Sequence, residues 1–191
     1  MRSHSSLSNT KEHKRKIMLQ IKLATPDDYN NIKQFYYNLI DAMEHAEFTP
    51  GWEKDIYPSQ ELLTSALHKN TLYMGKENNQ IISCMIVNQE YNEGYRKVNW
   101  TIPASDSELM VIHALGVHPA FANRGIAKQM VQKAIGIAKE QHCKTIRLDV
   151  LSGNLPAEKA YLKMGFHYID TLQMYYEDTG WTDYKVYELI L

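Results

Sequence analysis

From Thr25 the chain offers a capping residue, Pro26 at a first helical position and Asp28 three residues on. Apolar side chains then recur at Ile32, Phe35, Tyr36, Leu39, Ile40 and Met43. That spacing predicts an amphipathic helix. A loop over 48–58 contains Pro, Gly and Trp52, after which Ser59 is placed to cap a second, short helix with Leu62, Leu63, Ala66 and Leu67 turned inward. Strand-like runs follow at 71–76 and 81–88, and Asn78 and Asn79 between them predict an antiparallel hairpin. A third apolar run covers 109–117. The polar stretch 89–107, carrying Tyr91, Tyr95 and Trp100, is long for a plain connection and is expected to line a substrate pocket.

Beyond Pro119 a helical pattern runs from about 124 to 141. It is followed by a strand at 145–151, a short helix at 156–164 and two aromatic-rich strands at 166–176 and 182–191, paired through a turn at 178–180. This order of elements implies an α/β fold, a mixed sheet with helices on both faces. There is no internal repeat. The first 16 residues are polar and almost devoid of large apolar side chains, so they cannot contribute to a core. The expected organisation is a mobile leader over 1–17 and a single domain over 18–191. The basic run at 11–16 is expected to be a solvated tail.

Composition narrows the chemistry. A chain of 191 residues, 44% hydrophobic and 23% charged, can bury one substantial core. Its net charge of -1 gives no overall field to attract nucleic acid or an anionic membrane, so neither is an expected partner. Cys84 and Cys143 sit in apolar stretches without metal-ligand partners nearby in sequence, the pattern of buried free thiols in a reducing cytoplasm, with no metal site expected. No apolar run approaches the ~18 residues of a membrane span.

The chemistry concentrates between Leu115 and Ala127. Here an apolar strand, Leu115-Gly116-Val117, enters a helix through His118-Pro119-Ala120-Phe121-Ala122-Asn123-Arg124-Gly125-Ile126-Ala127. The first N–H groups of a helix lack intrahelical partners and lie at the positive end of its dipole, which suits them to a diphosphate. Gly125 would permit close backbone approach, and Arg124 could add a charge-assisted contact. Alone, this segment also fits an ordinary strand-to-helix turn. A second segment follows, with Asn154, Ala157, Tyr161, Gly165 and Phe166 spaced N-x-x-A-x-x-x-Y-x-x-x-G-F between two strands.

Together the two segments resemble the Gcn5-related N-acetyltransferase (GNAT) superfamily, sharply over 109–166 and in element order over 18–191. The resemblance implies a mostly antiparallel sheet with splayed central strands and acetyl-CoA as cofactor, released as coenzyme A. Residues 122–127 would hold the diphosphate. Backbone donors of Leu115, Gly116 and Val117 would meet the pantetheine and thioester, with Asn154 a further ligand to that arm. Tyr161 falls where the family places a phenol that protonates or stabilises the departing thiolate. One position departs from the pattern: Ala122 stands where the family usually has Gln or Arg.

The implied activity is direct transfer of acetyl to a primary amine, without metal or covalent intermediate. The acceptor would be a small molecule or a peptide or protein amine. Three residues are candidates for the base: Glu108 before the central strand, His113 within it, and Asp149 on the next strand. Each also has a structural reading, His113 as a hydrogen-bonded core residue and Asp149 as a partner of Arg147 or Lys144. Trp52, Tyr91, Tyr95, Trp100, Tyr175, Tyr176 and Trp181 could wall the acceptor pocket or simply pack. An exposed aromatic edge at the final strands would favour a homodimer. The rival reading is a module that binds acetyl-CoA as a sensor or scaffold without turnover.

Overall fold

The computed structural model describes residues 19–191; the expected leader at 1–17 lies outside the described residues. At Thr25 the capping signal is realised: the Asp28 carboxylate accepts hydrogen bonds from the Thr25 N–H and hydroxyl, each at 3.0 Å. One 3-10 turn over Pro26–Asp28 leads into α1 (Tyr29–Met43), which buries Ile32, Phe35, Tyr36 and Leu39. Ser59 accepts from the Leu62 N–H and starts α2 (Gln60–His68). The hairpin forms as β2 (Leu72–Glu77) and β3 (Gln80–Asn88), with Asn78 and Asn79 at φ 48° and 63°. Two left-handed residues in a two-residue loop match the right-handed twist of the flanking strands.

β1 (Gln20–Leu23) adds one edge strand. It is short and mostly exposed, and its alternation is too brief to be distinctive in the sequence. The other strands are β4 (Leu109–Val117), β5 (Thr145–Leu151), β6 (His167–Tyr176) and β7 (Gly180–Ile190). The sheet runs β1-β2-β3-β4-β5-β7-β6, antiparallel throughout except between β4 and β5. One face of the β1–β4 half is covered by α1 and α2, and the opposite face by α3 (Ile126–Glu140). α4 (Leu155–Lys163) flanks the latter core through Ala157 and Tyr161. Among the described residues no helix is long and apolar enough to cross a membrane, and Cys84 and Cys143 are buried free thiols.

The β4–β5 junction positions everything that follows. β4 pairs with β5 only over Leu109–Val111 against Thr145–Arg147, whereas β5 pairs with β7 along its whole length. Past Val111 the two strands part. The divergence coincides with a bulge in β4: its register to β3 shifts between Ile86↔His113 and Cys84↔Gly116, and Ala114 adopts φ 48°. A non-glycine residue there is held by its surroundings. The buried Tyr36 hydroxyl donates to the Ala114 carbonyl at 2.8 Å, so α1 supports the bulge.

The base of the split is fixed by a buried ion pair. Arg147 Nε lies 3.0 Å from Glu188 Oε1, Glu188 also accepts from the Thr101 N–H, and the Arg147 guanidinium stacks over Trp100 at 4.1 Å. These contacts fasten the 89–107 segment to the sheet face below β5 and β7, where Tyr95 and Val98 are core residues.

Candidate functional site

Gly116 shows how the sequence shapes the gap. A Cβ on it would lie 2.6 Å from Leu39 Cδ2, so a larger residue would push that buried α1 side chain aside. The β4 bulge lies just before Gly116, at Ala114 and Leu115, which together oppose Met85. The His118 N–H donates to the Ile82 carbonyl at 3.0 Å. Alternation along an antiparallel ladder then directs the polar groups of Gly116 to Cys84 and those of Leu115 and Val117 away from β3, into the gap toward β5. Those two residues therefore present backbone donors that no strand occupies. Beside them runs a groove of about 260 Å³ lined by Trp52, Leu115, Gly116, Val117, Ala127, Asn154 and Tyr161, among others.

The groove leads toward the start of α3. Gly125 has φ 73°, and nothing lies within 4 Å of where its Cβ would stand. The amides of Ile126, Ala127 and Lys128 have no intrahelical acceptor, as the expected anion seat requires. Asn123 is also left-handed, at φ 60°, which delays the helix to Ile126 although its pattern in sequence reaches back to Arg124. Two expectations need correction. Arg124 does not reach over the seat; it forms a double hydrogen bond with the buried Glu77 carboxylate, at 2.6 and 3.0 Å, tying the loop to the β2–β3 turn. The Ala122 N–H donates to the Pro119 carbonyl and is not free for a ligand.

Where β4 and β5 diverge, a cavity of about 110 Å³ continues from the groove. His113, Asp149, Asn154 and Tyr161 all line it. The Asn154 side-chain oxygen accepts from the Ala157 N–H at 3.4 Å, capping α4, so its amide donors stay uncommitted among the described residues. Tyr161 packs edge-on against Phe166, and its hydroxyl has no hydrogen-bond partner among the described residues. Burial, together with the nearby Asp149 charge, pushes its pKa well above the usual phenol range. It remains protonated at any working pH.

Asp149 Oδ2 accepts from Tyr95 at 2.7 Å and Tyr176 at 3.0 Å. Loss of water raises its carboxyl pKa, an effect opposed by those two hydroxyls and reinforced by Asp178. It does not pair with Arg147, whose partner is Glu188, or with Lys144, whose partner is Glu108. Glu108 lies at the far end of β4 and is not brought to the cavity. Its carboxylate is tied to Lys144 at 2.6 Å and to Ser105, which hold its pKa down to about 2. The structure thus leaves Asp149 and His113 as the candidates beside the gap.

His113 Nε2 lies 2.9 Å from both Asn88 Oδ1 and the Glu90 carbonyl. A carbonyl only accepts, so Nε2 carries the proton and Nδ1 is the free base position. Burial lowers the ring's pKa to about 4 despite the Glu90 carbonyl. Folding therefore favours the neutral ring. That stabilisation is complete above the ordinary pKa of ~6.5 and is lost as pH falls from there through about 4. Melting temperature should drop across this window, and His113→Gln should flatten the drop; equal slopes in the two proteins would contradict this account of the ring.

Of the aromatic residues expected at the pocket, Trp52 and Tyr176 line it, and Tyr95 reaches it through Asp149. Tyr91 and Trp100 flank a separate hollow. Tyr175 and Trp181 pair on the outside of the β6–β7 hairpin, with Trp181 72% exposed. Sequence reasoning missed Tyr57, Asp178 and Tyr184, which complete the wall. Tyr57 and Asp178 come from a long loop and a hairpin turn, where no periodicity marks a side chain as inward, while Tyr184 lies on β7 and is placed by strand pairing with Leu151.

Comparison with known proteins gives concordant results. The profile of the "Acetyltransferase (GNAT) family" matches residues 36–166. N-alpha-acetyltransferase 60 of Xenopus tropicalis is 26% identical over 161 residues, covering 81% of this chain and 62% of that protein, so the chain spans less than two thirds of the length of this curated relative. Among solved structures, a GNAT family acetyltransferase from Streptococcus agalactiae superposes with TM-score 0.73 at 18% identity, over 91% of this chain and 95% of that one. One from Listeria monocytogenes gives 0.68 at 16%, over 91% and 95%. The Salmonella typhimurium protein yncA, whose structure is described with its cofactor acetyl-CoA, gives 0.64 at 15%, over 91% and 94%. At these identities the structural likeness speaks for the fold.

Proposed function

The chain belongs to the GNAT acetyltransferase family, and from that premise we propose that it is a cytoplasmic enzyme transferring acetyl from acetyl-CoA to a primary amine. The observation that carries this reading is the parting of β4 from β5 past Val111, which leaves the backbone of Leu115 and Val117 facing a groove that ends at the open start of α3. Free donors along an apolar channel suit a pantetheine arm, and the unpaired amides of Ile126 to Lys128 suit its diphosphate. The open space at Gly125 fits such a group. Bound there, acetyl-CoA would supply an activated acyl thioester.

The chain's own residues then divide the work. Amides in the β4 gap would polarise the thioester carbonyl. Asp149, its carboxylate unprotonated above its raised pKa, would accept a proton from the incoming ammonium, with neutral His113 Nδ1 as a second acceptor on the same cavity. The amine nitrogen bonds to the acetyl carbon as the carbon–sulfur bond breaks, and the second proton it sheds as the amide forms ends on the coenzyme A sulfur through the cavity acids or solvent. Tyr161 would then donate a hydrogen bond to the departing sulfur. With a phenol pKa far above the ~8.5 of a thiol, full proton transfer from Tyr161 is uphill, so stabilisation of the thiolate is the role its environment supports.

Free-thiol release from acetyl-CoA across a panel of primary amines tests the proposal, with acetylated product identified by mass. Asp149→Asn should lower kcat/KM by roughly 10²–10⁴-fold. Tight acetyl-CoA binding with no amine-dependent thiol release would instead favour the sensor or scaffold role.

A further inference from the structure

The acetyl-transfer reading leaves one wall of the cavity without a task. Asp178, in the turn between β6 and β7, lines the same space as Asp149, and its Oδ1 is buried with no hydrogen-bond partner among the described residues. A buried carboxylate oxygen without a donor is costly, and a ligand that brings a donor removes that cost. Three of the nearby hydroxyls are already engaged, Tyr95 and Tyr176 at Asp149 and Tyr184 with Thr179 at 2.7 Å.

Charge in the cavity is one-sided. Two carboxylates line it, while no Lys or Arg among the described residues does. Loss of water raises the Asp178 pKa, opposed by the backbone N–H groups of Asp178 and Thr179 and reinforced by the negative potential of Glu53 and Glu177. An acceptor bearing a carboxylate or phosphate would be repelled, with no cation to hold it. Trp52, Tyr57 and Tyr176 also line the cavity, and aromatic rings can accommodate an ammonium group. A volume near 110 Å³ suits a short methylene chain better than a bulky ring system.

Building on the acetyl-transfer reading, the geometry points to a short aliphatic diamine as the acceptor, with the reacting amine at Asp149 and the distal ammonium held by Asp178. The nitrogen near Asp149 gives up one proton before attack, bonds to the acetyl carbon as the carbon–sulfur bond breaks, and loses a second proton as the amide forms. Asp149 relays these protons, one to the departing thiolate to give the coenzyme A thiol and one to solvent. The distal nitrogen keeps its charge throughout and serves only to fix the chain.

The test compares binding of 1,4-diaminobutane and butylamine to the full chain saturated with coenzyme A, by calorimetry. The parent should bind the diamine about ten- to hundredfold more tightly, the range expected of one charged hydrogen-bonded contact. Asp178→Asn should abolish that preference, weakening the diamine far more than butylamine. Equal affinities in the parent, or equal weakening of both ligands in the variant, would overturn the assignment. The parent comparison decides the matter even if the variant folds poorly. If the diamine preference holds but no acetyl is transferred, the cation site stands and the proposed reaction fails.

Discussion

Tyr161→Phe should lower kcat by roughly 10²–10³-fold while leaving acetyl-CoA affinity unchanged, the loss expected on removing one preorganised donor from a developing negative charge. The ring packs against Phe166 and the phenol lines the cavity without a partner, so removing the hydroxyl leaves no protein group unsatisfied and no packing void. Stability should therefore change little. Because the phenol stays protonated, the loss should also be constant across the neutral range. Steady-state kinetics from pH 6 to 9, with calorimetry for acetyl-CoA, checks both points. A variant that retained kcat would remove Tyr161 from the reaction, whereas a fall in acetyl-CoA affinity equal to the fall in kcat/KM would make it a binding residue.

Gly125→Glu should weaken acetyl-CoA binding by at least about 100-fold, through two effects at one position. The residue sits at φ 73°, where a side chain costs roughly 1–2 kcal/mol. The carboxylate would also project into the space in front of the α3 amides and occupy the seat with the wrong charge. Gly125→Asn separates the two contributions, because Asn tolerates the left-handed region and carries no charge. It should bind acetyl-CoA much closer to the parent. Calorimetry on the three proteins decides this, and unchanged affinity in the Glu variant would move the diphosphate away from α3.

The contrast between what was legible in the sequence and what was not follows from how each feature is encoded. β4 and β5 emerge with the bounds their apolar runs indicate, 109–117 and 145–151, because a doubly covered strand leaves a continuous signature. Asn154 and Tyr161 are likewise brought together on one cavity, since a cap and a residue seven positions later share a short helix. Glu108 shows the limit. It adjoins β4 in sequence, but a nine-residue strand carries it to the opposite end from the gap, where Lys144 holds it. Arg124 fails for a related reason: its position beside Gly125 is local information, whereas its capture by Glu77, 47 residues away, depends on the folded hairpin. Asp178 was invisible as a site residue because its role depends on which way a hairpin end faces.

The most direct test of the central claim is to follow backbone amide resonances of the 15N-labelled protein as acetyl-CoA is added. The account predicts saturable shifts concentrated at Leu115, Val117 and Gly125 to Lys128, with a smaller response at Asn154 and Tyr161. Saturable binding whose shifts fall elsewhere, or no binding at all, would contradict the assignment of the β4–β5 gap as the acetyl-CoA site.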